Sequence, residues 1–187
     1  MKILKKIVIL SLLAGAFLAC SDDDTPEIIN EEEVITTLTA TLTPLGGGTS
    51  IELKTFDGDG DGPNPPVVTV SGNLLANTSY NGSLDLLNET VSPAESITDE
   101  IAEEDDEHQF FFQATNGIAA FQYNDQDDDG NPIGLSFTLN AGNAGTGTIT
   151  ITLRHEPNKS ADGVSDGDIT NAGGETDISA TFPVVVE

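Results

Sequence analysis

The sequence predicts an all-β protein: an immunoglobulin-like β-sandwich of eight or nine short strands with one short helix. Three observations predict it. Apolar residues recur with period two among Thr and other polar residues, turn signals separate the runs at short intervals, and Gly is abundant at 19 residues while Trp is absent. A strand with one covered face buries every second side chain, so alternation over a short run is its signature. A closed barrel is the alternative that the same pattern allows.

The elements follow in order. Val34 to Thr43 alternates Leu and Ala with Thr. Pro44 and Gly46-Gly47-Gly48 turn the chain into Ile51 to Phe56, which alternates again. An Asp/Gly/Pro loop (57–66) leads to Val67 to Val70, and Tyr80 to Leu87 continues the series, with Asn77 and Asn81-Gly82 as turn signals. Ser92-Pro93-Ala94-Glu95 combines capping-box spacing with Pro at the first helical position, which predicts a helix starting there. Ile97 and Ile101 share one face of that helix, which should run to about Glu104. Strands resume at His108 to Ala114, Ile118 to Tyr123, Ile133 to Leu139, Thr146 to His155 and Ile178 to Val186. Turns at Asn116-Gly117, Asp129-Gly130 and Gly142 to Gly145 separate them, and Ala161 to Glu175 reads as a longer Gly/Asp-rich loop.

The N-terminus is a different kind of segment. Met1-Lys2-Ile3-Leu4-Lys5-Lys6 is basic, and the apolar run that follows, Ile7 to Ala19, is shorter than the roughly 20 residues of a membrane span. Residues 1–19 therefore read as a cleaved signal peptide. Phe17-Leu18-Ala19-Cys20 resembles the lipobox of bacterial lipoproteins, which implies cleavage before Cys20 and acylation of its thiol and amine, with palmitate-like chains holding the protein on a membrane. Ser21-Asp22-Asp23-Asp24 resembles the acidic export tag of Bacteroidota surface lipoproteins and implies display on the cell surface; the periplasmic face of the outer membrane is the alternative. Residues 20–33 read as a disordered acidic tether and 34–187 as the sandwich domain. Cys20 is the only cysteine, so no intramolecular disulfide can form.

Charge narrows the partners. With the signal removed, Lys54, Arg154 and Lys159 face all 32 acidic residues, a net charge of −29. Nucleic acid and anionic lipid surfaces both require a basic face, which this composition cannot build. Cations and basic protein surfaces are the partners that such a field attracts.

The mature chain also resembles a group of small Bacteroidota surface lipoproteins. The resemblance rests on Asn30 to Thr37, on Glu107-His108-Gln109-Phe110-Phe111-Phe112 and on Arg154-His155-Glu156-Pro157-Asn158-Lys159. Such proteins are often labelled as having a type 1 periplasmic-binding fold. That label implies solute binding and two lobes of alternating strands and helices, whereas the periodicity predicts one helix only.

Two sets of residues point to chemistry. Asp57, Asp59 and Asp61 before Gly62, and Asp125, Asp127 and Asp129 before Gly130, both spell DxDxDG. Alternate oxygens with a Gly turn are the start of a calcium loop, but the twelfth position holds Val68 or Ser136 in place of a bidentate Glu, so a full EF-hand is excluded. Calcium bound with other oxygens, or plain hairpin turns, are the two readings left.

The second set uses the only two histidines, each beside carboxylates: Glu104, Glu107 and His108 in one segment, His155 and Glu156 in the other. His108 begins one predicted strand and His155 ends another, so antiparallel neighbours would bring them together. His and Glu ligands suit zinc or copper. No G-x-S-x-G elbow, HExxH or second Cys points to catalysis. The expected function is a lipid-anchored, non-enzymatic module that binds a metal ion or small ligand in the service of an outer-membrane transporter. A structural or adhesive sandwich steadied by calcium is the alternative.

Overall fold

The computed structural model describes residues 33–60 and 62–187. The expected signal segment (1–19), Cys20, the expected export tag Ser21-Asp22-Asp23-Asp24 and Asp61 lie outside the described residues. The strands are β1 (Thr37–Pro44), β2 (Ile51–Phe56), β3 (Val67–Val70), β4 (Ser79–Asn88), β5 (Glu95–Ser96), β6 (His108–Ala114), β7 (Ala119–Tyr123), β8 (Ser136–Ala141), β9 (Gly145–His155) and β10 (Glu175–Val186), with helix α1 at Ile97–Glu103.

One sheet runs β3-β2-β1-β4-β8-β7 with β5 beside β4, and the other runs β10-β9-β6. All named strand pairs are antiparallel. The order β1-β4-β8-β7 together with β10-β9-β6 is the A-B-E-D and G-F-C arrangement of a constant-type immunoglobulin sandwich. The pair β2 and β3 extends the first sheet beyond β1. Two separate sheets make this the predicted sandwich and not the barrel. Nor is it the two-lobed alternation of strands and helices that the periplasmic-binding label implies.

Alternation accounts for the core. Leu38, Ala40 and Leu42 of β1 are buried while Thr39, Thr41 and Thr43 are more exposed, and Ile51 and Leu53 of β2 and Leu84 and Leu86 of β4 join the same apolar cluster. The second sheet contributes Ile149, Ile151 and Leu153 from β9 and Ala180, Phe182, Val184 and Val186 from β10. Strand β6 is covered on both faces. Phe110 packs into the main core, while Phe111 packs on the other side against Val164 and Ala172 of the Gly/Asp-rich loop.

Three sequence expectations shift. Asn81-Gly82 makes no turn but lies inside β4, paired with Thr43 and Leu42 of β1. The helix begins at Ile97, not Pro93: its N-cap is Ser96, whose side chain accepts from the Asp99 N–H. Ser92-Pro93 is a cis peptide, and Glu95–Ser96 pairs with β4. Ile97 and Ile101 are both buried, as their spacing predicts. Glu33, expected as the last residue of an acidic tether, is instead packed into the domain with its side chain 8% exposed.

Candidate metal centre

The register of β6 and β9 builds the site. The cross-strand pairs Ala114–Ile149, Phe112–Ile151 and Phe110–Leu153 form an apolar row, and the next pair in that row is His108–His155. Both histidines are therefore carried inward by the same period-two pattern that buries the core. Their ring centroids lie 4.6 Å apart, and the residues are 0% and 3% exposed. This is the juxtaposition that the two strand ends predict.

Two further side chains close the pocket. Glu33, just before β1, places Oε1 2.9 Å from His108 Nε2 and Oε2 3.8 Å from His155 Nδ1. Asp177 comes from β10, where the register with β9 shifts between Thr176 and Ile178. A bulge inserts one extra residue and re-aims its side chain, and here it brings Asp177 Oδ1 to 3.7 Å from His155 Nδ1. The approach to this bulge is tight: Gly174 has φ +65°, and a Cβ there would fall 2.1 Å from the His155 carbonyl oxygen. One ligand-type atom from each of Glu33, His108, His155 and Asp177 can be chosen so that all four lie within 4.8 Å of one another.

Hydrogen bonding orients the His108 ring. His108 Nδ1 lies 3.1 Å from the Glu104 carbonyl oxygen, so its Nδ1–H donates there and Nε2 faces the pocket. Nε2, 2.9 Å from the Glu33 carboxylate, donates as well, so both ring nitrogens carry protons here. Loss of the Nε2 proton on metal binding would leave Nδ1–H on the backbone carbonyl and Nε2 as the ligand atom. Neither ring nitrogen of His155 has a hydrogen-bond partner among the described residues, although both are buried. Leaving buried polar atoms unsatisfied is costly, and a metal ion is one way to satisfy them.

The electrostatics are tightly linked. Burial pushes the Glu33 carboxyl upward, but the hydrogen bond from His108 and the charges of both imidazoles outweigh it, and its pKa lies below the ordinary carboxylate value. Burial pushes His108 downward, and the Glu33 hydrogen bond, the Glu104 carbonyl and nearby carboxylates outweigh that, so its pKa lies above the ordinary imidazole value.

No family model, curated protein or solved structure matches this chain. The residues themselves must therefore carry the functional argument.

The predicted ligands divide into groups. His108 and His155 lie together in the buried pocket, while Glu107 and Glu156 gather with His155 in a second, exposed group. Glu104 contributes its backbone carbonyl and not its carboxylate; it is exposed at the helix C-cap, because α1 ends one residue before it. Glu33 and Asp177 were not among the predicted ligands.

The carboxylates of the two DxDxDG loops make contacts of their own. Asp125 accepts from the N–H groups of Gly134 and Ser136. Asp127 accepts from the Asp129 and Asn131 N–H groups and pairs with the Lys159 ammonium at 3.0 Å. A buried ammonium beside the middle ligand repels a dication, and among the described residues Asp125, Asp127 and Asp129 do not form a metal-ligating group. In the other loop Asp57 accepts from the Asp59 N–H and Asp59 from Asn64, as in an ordinary Asx turn. Asp57 also helps line a cleft of about 300 Å³ that borders Glu33, Thr55, Asp177 and Ser179.

Proposed function

We propose that this chain is a lipid-anchored, non-enzymatic binding protein. In this reading it holds one divalent transition-metal ion, zinc first and copper next, with Glu33, His108, His155 and Asp177. The observation that carries the reading is the convergence of two buried imidazoles and two carboxylates, with the His155 nitrogens otherwise unsatisfied. Two neutral imidazoles and two carboxylates carry two negative charges, which balance a dication in a buried site. A tetrahedral zinc ion with bonds of about 2.0–2.2 Å holds its ligand atoms about 3.3–3.6 Å apart. The 3.7 and 3.8 Å separations at His155 lie close to that range. The 2.9 Å Glu33–His108 contact would open on binding, and the other ligand atoms, all within 4.8 Å of one another, would draw in around the ion.

In the cleft beside the site the Thr36 hydroxyl donates to the Leu87 carbonyl and the Ser179 hydroxyl is bonded to the Thr152 hydroxyl, so neither is set up as an activated nucleophile. Placement at the outer membrane is supported by the lipobox-like Phe17-Leu18-Ala19-Cys20 and the acidic run after it.

Calorimetry and elemental analysis on the purified protein test the metal reading. The expected result is one zinc or copper ion per chain, and no ion bound after His108→Ala plus His155→Ala. An unaltered heat of binding in that double variant, or no binding by the wild type, would remove the proposal.

A further inference from the structure

His155 faces two groups of acids with its two nitrogens. Nδ1 points to Glu33 and Asp177 in the buried pocket, while Nε2 lies 3.7 Å from Glu107 Oε2 at the surface. That distance exceeds a hydrogen bond, and Nε2 is buried without a hydrogen-bond partner among the described residues. The ladder between β6 and β9 extends one step past the histidine pair, with the Glu156 N–H donating to the Glu107 carbonyl at 2.7 Å. Two exposed carboxylates therefore stand together beside the concealed nitrogen. Ligand-type atoms of Glu107, His155 and Glu156 all lie within 4.8 Å of one another.

We infer that Glu107, Glu156 and His155 Nε2 form an outer loading site, where a divalent transition-metal ion is first held before it passes to the buried site. This rests on the metal-binding reading and adds a route to it. A neutral imidazole has one lone pair and one N–H, so His155 serves one group at a time. While an ion sits outside, Nε2 is its ligand. Once the ion is inside, Nδ1 is the ligand and Nε2–H is free to donate to Glu107. The two sites are alternatives that share a pivot, so the chain holds one ion and not two. Exposure suits the outer group to capture from solvent, whereas the inner side chains are at most 8% exposed.

Cobalt(II) titration and stopped-flow absorbance on the purified protein decide it. The expected stoichiometry is one ion per chain. Glu107→Gln plus Glu156→Gln should load about tenfold more slowly, the lower end of what local charge contributes to an association rate, with no acceleration of release. The remote exposed pair Glu52→Gln plus Asp85→Asn should load as the wild type does, which separates a local site from the general acidity of the chain. Unchanged loading, an equal slowing in the remote pair, a second ion, or faster release as the sole effect would each overturn the loading site. None of those outcomes touches the buried site, which fails only if wild type binds no ion or the histidine double variant binds as well as wild type.

Discussion

Replacing Lys159 by methionine lowers the stability of the domain by about 3–5 kcal/mol, the usual consequence of leaving one half of a buried ion pair alone. Lys159 is 6% exposed and Asp127 3%. The ammonium also donates to the Asp105 carbonyl, so it joins the 125–131 turn to the segment that leads into β6. In Lys159→Met the Asp127 carboxylate is stranded, although it keeps its bonds from the Asp129 and Asn131 N–H groups. Adding Asp127→Asn to that variant restores part of the loss, because the amide oxygen still accepts from those donors while the unpaired charge is gone. The urea midpoint falls in the single variant and recovers partly in the double one. A loss below about 1 kcal/mol, as for an exposed pair, would show that the ammonium contributes little.

The same pair sets an acid limit. Burial raises the Asp127 carboxyl, but the Lys159 hydrogen bond and charge and the Asn131 donors hold it below its ordinary value of 3.8. A carboxylate depressed in the folded state adds stability that is fully present above its unfolded pKa. That stability disappears as the pH falls through the lower folded pKa. The difference between wild type and Lys159→Met therefore narrows below about pH 4.

The second large effect is metal-dependent. An ion that binds only the folded state stabilises it by about 4.1 kcal/mol at a thousand times its Kd. For a domain of this size that corresponds to a rise of roughly 8–16 °C in melting temperature. The proposed ligands come together only in the folded state, from the segment before β1 and from β6, β9 and β10, so an ion bound by them would tie Glu33 to the three-stranded sheet. Thermal melts with zinc and with chelator should separate by that interval in wild type and coincide in His108→Ala plus His155→Ala. Equal shifts in both proteins would place the ion elsewhere.

What the sequence revealed and concealed has physical causes. Period two made the strands visible, and it made the histidine pair visible because His108 and His155 end the same inward rows as Phe110 and Leu153. Glu33 was hidden among the acids Glu31, Glu32 and Glu33, where composition cannot separate a buried carboxylate from solvated ones. Its place directly before the first alternating run was the available clue. Asp177 was hidden for a stricter reason. The inward row of β10 runs Ile178, Ala180, Phe182, Val184 and Val186, so simple alternation turns Asp177 outward; only the bulge turns it in. The helix start was misplaced because Ser92 and Ser96 both offer a cap with an acid three residues on, and pairing of Glu95–Ser96 with β4 selects the later one. The DxDxDG spacing was real, but in the second loop a lysine 32 positions away in sequence takes the middle aspartate.

Zinc X-ray absorption on the loaded protein tests the central claim most directly. Two imidazole nitrogens and two carboxylate oxygens at about 2.0–2.2 Å are expected, with the imidazole scattering lost in His108→Ala plus His155→Ala. An all-oxygen shell without imidazole, or a spectrum that the double substitution leaves unchanged, would contradict a centre built by Glu33, His108, His155 and Asp177.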